Sequence, residues 1–102
     1  MRRVVEVTFE SPQLEELEKD KAHDARYPPG IGKVFRRRMQ FIRAAPDERD
    51  FYQLRSLNFE KLKGDRIGQH SMRLNDQWRL ILTFVGESPN KLVVIISIED
   101  YH

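Results

Sequence analysis

Met72-Arg73-Leu74-Asn75-Asp76-Gln77-Trp78-Arg79-Leu80-Ile81-Leu82-Thr83-Phe84 is the stretch whose reading decides the fold. Trp78, Leu80, Leu82 and Phe84 recur at the period of two that marks a strand with one buried face. Met72 and Leu74 are the apolar positions of the run before it. A two-residue loop at Asn75-Asp76 would set Met72 opposite Arg79 and bury a cation among apolar neighbours. A three-residue loop, Asn75-Asp76-Gln77, instead pairs Leu74 with Trp78 and Met72 with Leu80. All the large apolar side chains then share one face. Ser71, Arg73 and Arg79 share the other, with the two arginines directly across from one another. Adjacent cations repel unless an anion lies between them, so this face is a candidate phosphate site. Projection of both into screening solvent is the alternative.

Outward from this hairpin, residues 66–74, 78–85 and 91–98 read as three consecutive strands. Gly86-Glu87-Ser88-Pro89-Asn90 makes the last turn plain. Toward the N-terminus, Val5, Val7 and Phe9 alternate with polar residues, so residues 3–9 read as an opening strand. Ser11-Pro12 supplies an N-cap followed by proline at the first helical position. Leu14 and Leu17 give that helix a narrow apolar stripe, and Tyr27-Pro28-Pro29-Gly30 is expected to break it. A second helix is expected over residues 31–45. Ile31, Val34, Phe35, Met39 and Ile42 form its buried face, while Arg36, Arg37 and Arg43 point outward as a wet face or a phosphate-contacting stripe. Asp47 is a candidate cap for a short helical turn ending near Tyr52. The pattern leaves residues 55–63 unassigned. The expected fold is α+β: an N-terminal strand and two main helices on one face of a mainly antiparallel, twisted sheet.

The chain of 102 residues suits one domain with a small core, residues 1–102. Its longest apolar run, residues 92–96, is far shorter than a bilayer span, and residues 1–6 lack the apolar stretch of a signal peptide. No cysteine is present, which excludes disulfides and thiolate metal sites. The cytoplasm is the expected compartment. Net charge is only +2, from 18 Lys and Arg against 16 Asp and Glu, but its distribution is uneven. Acidic residues dominate residues 10–24, whereas residues 33–43 hold basic residues and no acidic one. A basic side opposite an acidic one fits a protein that faces nucleic acid, or a solvated surface of mixed charge.

The residue types suited to phosphodiester chemistry lie near the end of the chain. Histidine titrates near neutrality, and Tyr101-His102 follows an apolar strand and the acidic pair Glu99-Asp100. His23, His70 and His102 are too scattered for a ligand set, so no metal or other cofactor is expected. The register sends His70 toward the core, where a buried, hydrogen-bonded histidine is expected.

The block Leu62-Lys63-Gly64-Asp65-Arg66, then Gly68, then residues 75–79, then Glu99-Asp100-Tyr101-His102, resembles the HigB branch of the RelE toxin superfamily, the plasmid maintenance killer proteins. The order of elements before Leu62 agrees with the RelE-like α+β arrangement. The resemblance implies the toxin of a bacterial type II toxin–antitoxin pair, held inactive by a HigA-type antitoxin. Such toxins are ribosome-dependent mRNA endonucleases that enter the 30S A site and cut the presented codon. Operator DNA is implied only indirectly, through the antitoxin, and no membrane is involved. Carried over by position, the catalytic set is Lys63, Arg79, Tyr101 and His102. Arg55, Lys61, Arg66, Arg73 and Asp100 are the candidates for RNA contact. Three residues before Lys63, where some HigB toxins have histidine, stands Glu60. With RNA supplying its 2′-OH as nucleophile, His102 suits protonation of the departing 5′-oxygen and Arg79 the phosphorane charge. Glu60, Asp100 and neutral His102 remain open as the base. A non-catalytic RNA- or DNA-binding module, acting as corepressor with its antitoxin, is the alternative.

Overall fold

The computed structural model describes residues 6–45, 48–87 and 91–100. Five strands form one sheet: β1 (Glu6–Phe9), β2 (Glu60–Lys61), β3 (Gln69–Arg73), β4 (Trp78–Val85) and β5 (Leu92–Asp100), in the order β1-β5-β4-β3-β2. All neighbouring pairs are antiparallel except β1 with β5. Three helices, α1 (Pro12–Lys19), α2 (Ile31–Ala44) and the short α3 (Arg49–Gln53), complete the α+β fold with brief 3-10 turns. Among the described residues no helix is long and apolar enough to cross a membrane.

The periodicity argument carries the helices. Leu14 and Leu17 of α1, and Ile31, Phe35, Met39 and Ile42 of α2, are buried in one cluster with Met72, Leu80, Leu82, Val93 and Ile95 of the sheet. Val34 packs at its margin. Ser11 takes the extended N-cap conformation, but its hydroxyl meets Gln13 Oε1 rather than a backbone amide. Helix α1 stops at Lys19, well before Tyr27. Asp20 turns extended and its carboxylate accepts from the Ala22 amide, starting a 3-10 turn at residues Lys21–Arg26. A short acidic side chain that captures a nearby N–H offers the backbone an alternative to another helical turn.

The cations of α2 settle on protein partners. Arg36 forks onto Asp24 at 2.8 and 3.0 Å and donates to the Leu17 carbonyl at 3.0 Å. Arg43 forks onto Glu18 at 2.7 and 2.8 Å. These pairs clamp α2 to the acidic segment around α1, so Arg36 and Arg43 serve the helix layer rather than a phosphate-contacting stripe. Arg38 reaches the Arg73 carbonyl at 2.9 Å and ties α2 to the end of β3.

The hairpin register is the one that the three-residue loop demands: Met72 faces Leu80, Arg73 faces Arg79, and the Leu74 amide donates to the Trp78 carbonyl at 2.9 Å. Asn75 Oδ1 closes the turn by accepting from the Gln77 and Trp78 amides, each at 2.8 Å. The preceding strand is shorter than the expected residues 66–74. Gly64 and Gly68, at φ of 67° and 92°, bracket a 3-10 turn at Gly64–Arg66, and pairing with β4 starts only at Gln69. Asp47 lies outside the described residues, and Glu48 precedes α3.

Between β4 and β5 the register shifts. Ile81 pairs with Ser97 but Leu82 pairs with Ile95, leaving Ile96 as an extra residue. Because side chains alternate strictly, one extra residue reverses the faces beyond it. Val93 and Ile95 therefore enter the core, while Ser97 and Glu99 join the opposite, helix-free face of the sheet.

Candidate active site on the helix-free face of the sheet

The helix-free face collects the chemistry-bearing residues. Pairing places Glu60 beside Ser71, Arg73 beside Arg79, and Arg79 beside Glu99. Arg79 is only 4% exposed. Its Nε donates to Ser71 Oγ at 3.0 Å, and one terminal nitrogen donates to the carbonyls of Asn58 and, at 3.3 Å, Ser71. Arg73 pairs with Asp76 and donates to the Asn75 carbonyl at 3.3 Å. The two arginines are directly opposed, as the register requires, and protein acceptors draw them apart. An anion between them is therefore not needed to relieve their repulsion. The fixed guanidinium of Arg79 is instead a preorganised donor, its orientation set by β3 and by the turn around Asn58.

Arg66 leaves the turn after Lys63 and forks onto Glu99, 2.6 Å at each contact, with Nε on Gln69 Oε1 at 3.1 Å. Ser97 Oγ donates to the same carboxylate at 2.6 Å. The Arg66 fork holds the Glu99 carboxyl below the usual carboxylate range, with the Ser97 hydroxyl assisting. An anion stabilised in this way is a weak base, so Glu99 is poorly suited to take a proton from a 2′-OH. Glu60 is the other carboxylate whose pairing places it on this face.

Lys63 lies at the mouth of the Gly64–Arg66 turn in an extended conformation and is exposed. Among the described residues its ammonium forms no ion pair, as is also the case for exposed Lys61 and Arg55. The register puts Asp100 opposite Trp78 rather than Arg79, and its carboxylate accepts from Gln77 Nε2 at 3.0 Å. Asp100 thus caps the hairpin end and does not share the face of Arg79. Tyr101 and His102 lie outside the described residues.

His70 is buried, at 9% exposure, and stacks on Phe59 at 5.1 Å with the rings nearly parallel. Among the described residues the expected hydrogen bond is missing at Nδ1, which is buried without a partner there. Burial pushes its pKa below the ordinary value, and aromatic packing against Phe59 and Phe84 takes the place of polar anchoring. Asn58 and the Arg66–Glu99 pair were not anticipated as parts of this region. Asn58 belongs to the residues whose pattern gave no assignment, and Glu99 reaches this face only through the bulge. Among the described residues no group of three or more His, Asp or Glu side chains converges to hold a metal ion.

Comparison with known proteins agrees with this architecture. A family profile described as the RelE-like toxin of the type II toxin–antitoxin system HigB matches residues 7–102. The solved "YoeB/ParE toxin from Agrobacterium tumefaciens" superposes with a TM-score of 0.64 at 15% identity, covering 96% of this chain and 100% of that one. The YoeB dimer from Staphylococcus aureus gives 0.52 at 24% identity, covering 96% and 97%. At these identities the two structures speak for the fold alone. No curated protein matches.

Proposed function

Since this chain belongs to the RelE-like HigB toxins of type II toxin–antitoxin systems, for which an antitoxin is the natural partner, we propose that it is a ribosome-dependent mRNA endonuclease neutralised by a HigA-type antitoxin. The toxin domain spans residues 1–102 and acts in the cytoplasm, on message presented in the 30S A site. The observation that carries the reading is the guanidinium of Arg79, locked by Ser71 and the Asn58 carbonyl on the helix-free face of the sheet, in a chain that also exposes Lys63 at the mouth of the Gly64–Arg66 turn.

In the proposed reaction the 2′-oxygen attacks the adjacent phosphorus while the bond from phosphorus to the 5′-oxygen breaks. Arg79 and Lys63 stabilise the charge that accumulates on the phosphorane oxygens, a role that rewards donors fixed in advance. His102 gives a proton to the departing 5′-oxygen, and Tyr101 stacks on a base or orients the phosphate. The 2′-OH proton goes to Glu60, or to neutral His102, which then hands that same proton to the departing 5′-oxygen. Arg55 and Lys61, exposed and outside ion pairs among the described residues, steer the RNA backbone. Arg66 and Arg73 contribute to RNA binding only by exchanging their present carboxylate partners for phosphate.

The test is cleavage of a defined mRNA on purified ribosomes by wild type, Lys63→Ala and His102→Ala. The expected result is cutting of ribosome-bound message by wild type, and ribosome binding without cutting by both variants. Wild type that binds ribosomes yet leaves every message intact would replace this reading with the non-catalytic corepressor.

A further inference from the structure

The turn that anchors Arg79 also walls a cleft with no assigned role. Tyr52, Leu54, Arg55, Asn58 and Phe59 line a cavity of about 340 Å³. That volume falls at the lower end of small-molecule sites, which run from roughly 300 to 1,000 Å³. Tyr52 and Leu54 are 44% and 45% exposed, an apolar floor left to water. The Tyr52 ring is braced edge-on by Phe59 at 4.8 Å. Asn58, in the left-handed region at φ 43°, is exposed; its backbone amide donates to the Arg55 carbonyl at 2.9 Å, but its side-chain amide makes no hydrogen bond among the described residues. Arg55 adds a cation outside any ion pair among those residues, and no acidic side chain lines the cleft.

A rigid aromatic platform, an amide with a donor and an acceptor to spare, and a cation together suit an unstacked nucleobase and its phosphate. They suit an acidic or purely apolar peptide side chain less well, since the amide would then be left unpaired. The cleft is also wired to the candidate active site, because the Asn58 carbonyl accepts from Arg79. We propose that this cleft holds a nucleobase of the message next to the scissile phosphate, stacked on Tyr52 and read along its edge by the Asn58 amide, so that it selects the sequence cut. The proposal rests on the nuclease reading above and extends it to sequence choice.

Two measurements separate the inference from that reading. The first follows backbone and side-chain amide resonances of the labelled protein during titration with each of the four nucleoside 5′-monophosphates, without ribosomes. Shifts at Asn58 and residues 52–59 that differ between bases are expected. The second compares cleavage profiles on ribosomes. Tyr52→Leu keeps the apolar floor but loses the stacking ring, and lowers kcat/KM roughly 5- to 100-fold. Asn58→Gly keeps the positive φ and the carbonyl that holds Arg79 while deleting the amide, and flattens base preference at one position. Lys19→Ala, on the far helix, serves as the control and changes neither. If wild type cuts with a preference that both cleft variants retain, and no nucleotide shifts the cleft, the inference falls while the nuclease reading stands. If nothing is cut yet the nucleotides still shift the cleft selectively, base recognition stands and the nuclease reading falls. Shifts produced only by the antitoxin would make the cleft a protein-docking site and overturn the proposal.

Discussion

Removing the Arg79 side chain perturbs stability as well as chemistry, and the size of the effect follows from its contacts. Arg79→Ala strips Ser71 Oγ of a buried donor at 3.0 Å and leaves the Asn58 carbonyl without its cation. Hydrogen bonds to charged groups contribute about 1.5–3 kcal/mol each, giving a gross loss of about 3–6 kcal/mol. Two effects offset it. A buried cation carries a desolvation penalty of several kcal/mol that the variant no longer bears, and the exposed Asn58 turn regains water. The net expectation is a loss of about 2–3 kcal/mol. Lys63→Ala, at an exposed side chain with no ion pair among the described residues, should stay within about 0.5 kcal/mol of wild type. Urea unfolding followed by the fluorescence of Trp78, the one tryptophan, measures both. With a slope of roughly 1–3 kcal/mol per molar, the midpoint for Arg79→Ala should drop by about 0.7–3 M. An Arg79→Ala midpoint no lower than that of Lys63→Ala would refute the claim that the protein itself holds this guanidinium in place. It follows that activity lost in Arg79→Ala must be normalised to folded protein before it counts as chemistry.

Further expectations concern pH and packing. Burial lowers the His70 pKa from 6.5, against Glu48, which favours the charged ring, and with Lys61 and Lys91, which oppose it. Below about pH 6.5 the unfolded chain takes up a proton that the folded ring refuses, so stability falls with pH until the folded ring itself titrates. His70→Phe keeps the aromatic stack and should abolish that part of the decline in unfolding midpoints between pH 7 and 5. Glu99 behaves as a carboxylate favoured by the fold: its stabilisation is present above its ordinary pKa of 4.5 and is lost as pH falls through the lowered folded value. Glu99→Gln should flatten the acid limb of the stability profile, and an unchanged limb would contradict the Arg66 pairing. Phe35, fully buried in the helix–sheet cluster, should cost about 3–5 kcal/mol when replaced by alanine, read from the same urea curves.

The hairpin was legible in the sequence because burying Trp78, Leu80, Leu82 and Phe84 together admits only one register with Met72 and Leu74. That register dictated in turn that Arg73 and Arg79 face one another. Helix α2 was legible for the same reason, since one apolar stripe fixes both its existence and its buried side. The candidate residues Lys63 and Arg79 came from motif and resemblance, and their spatial relation did not. What became of the two facing arginines depended on acceptors distant in the chain. Asn58 draws Arg79 one way and Asp76 draws Arg73 the other, and no local pattern encodes that choice. The last strand shows the limit most clearly. Val93, Ile95, Ser97 and Glu99 alternate as though they shared one face, yet the extra residue Ile96 turns the first two into the core and the last two toward Arg79. Alternation along a strand specifies faces only while pairing is continuous. Where it breaks is set by how β5 fits between β1 and β4, a property of the assembled sheet. The sequence by itself thus determined the two main helices, four of the five strands, the hairpin register and the cationic character of the site, but not β2 or the turn around Asn58. The tertiary structure decided which carboxylate, carbonyl and hydroxyl those cations meet, because such partners are chosen by packing across elements rather than by spacing within one.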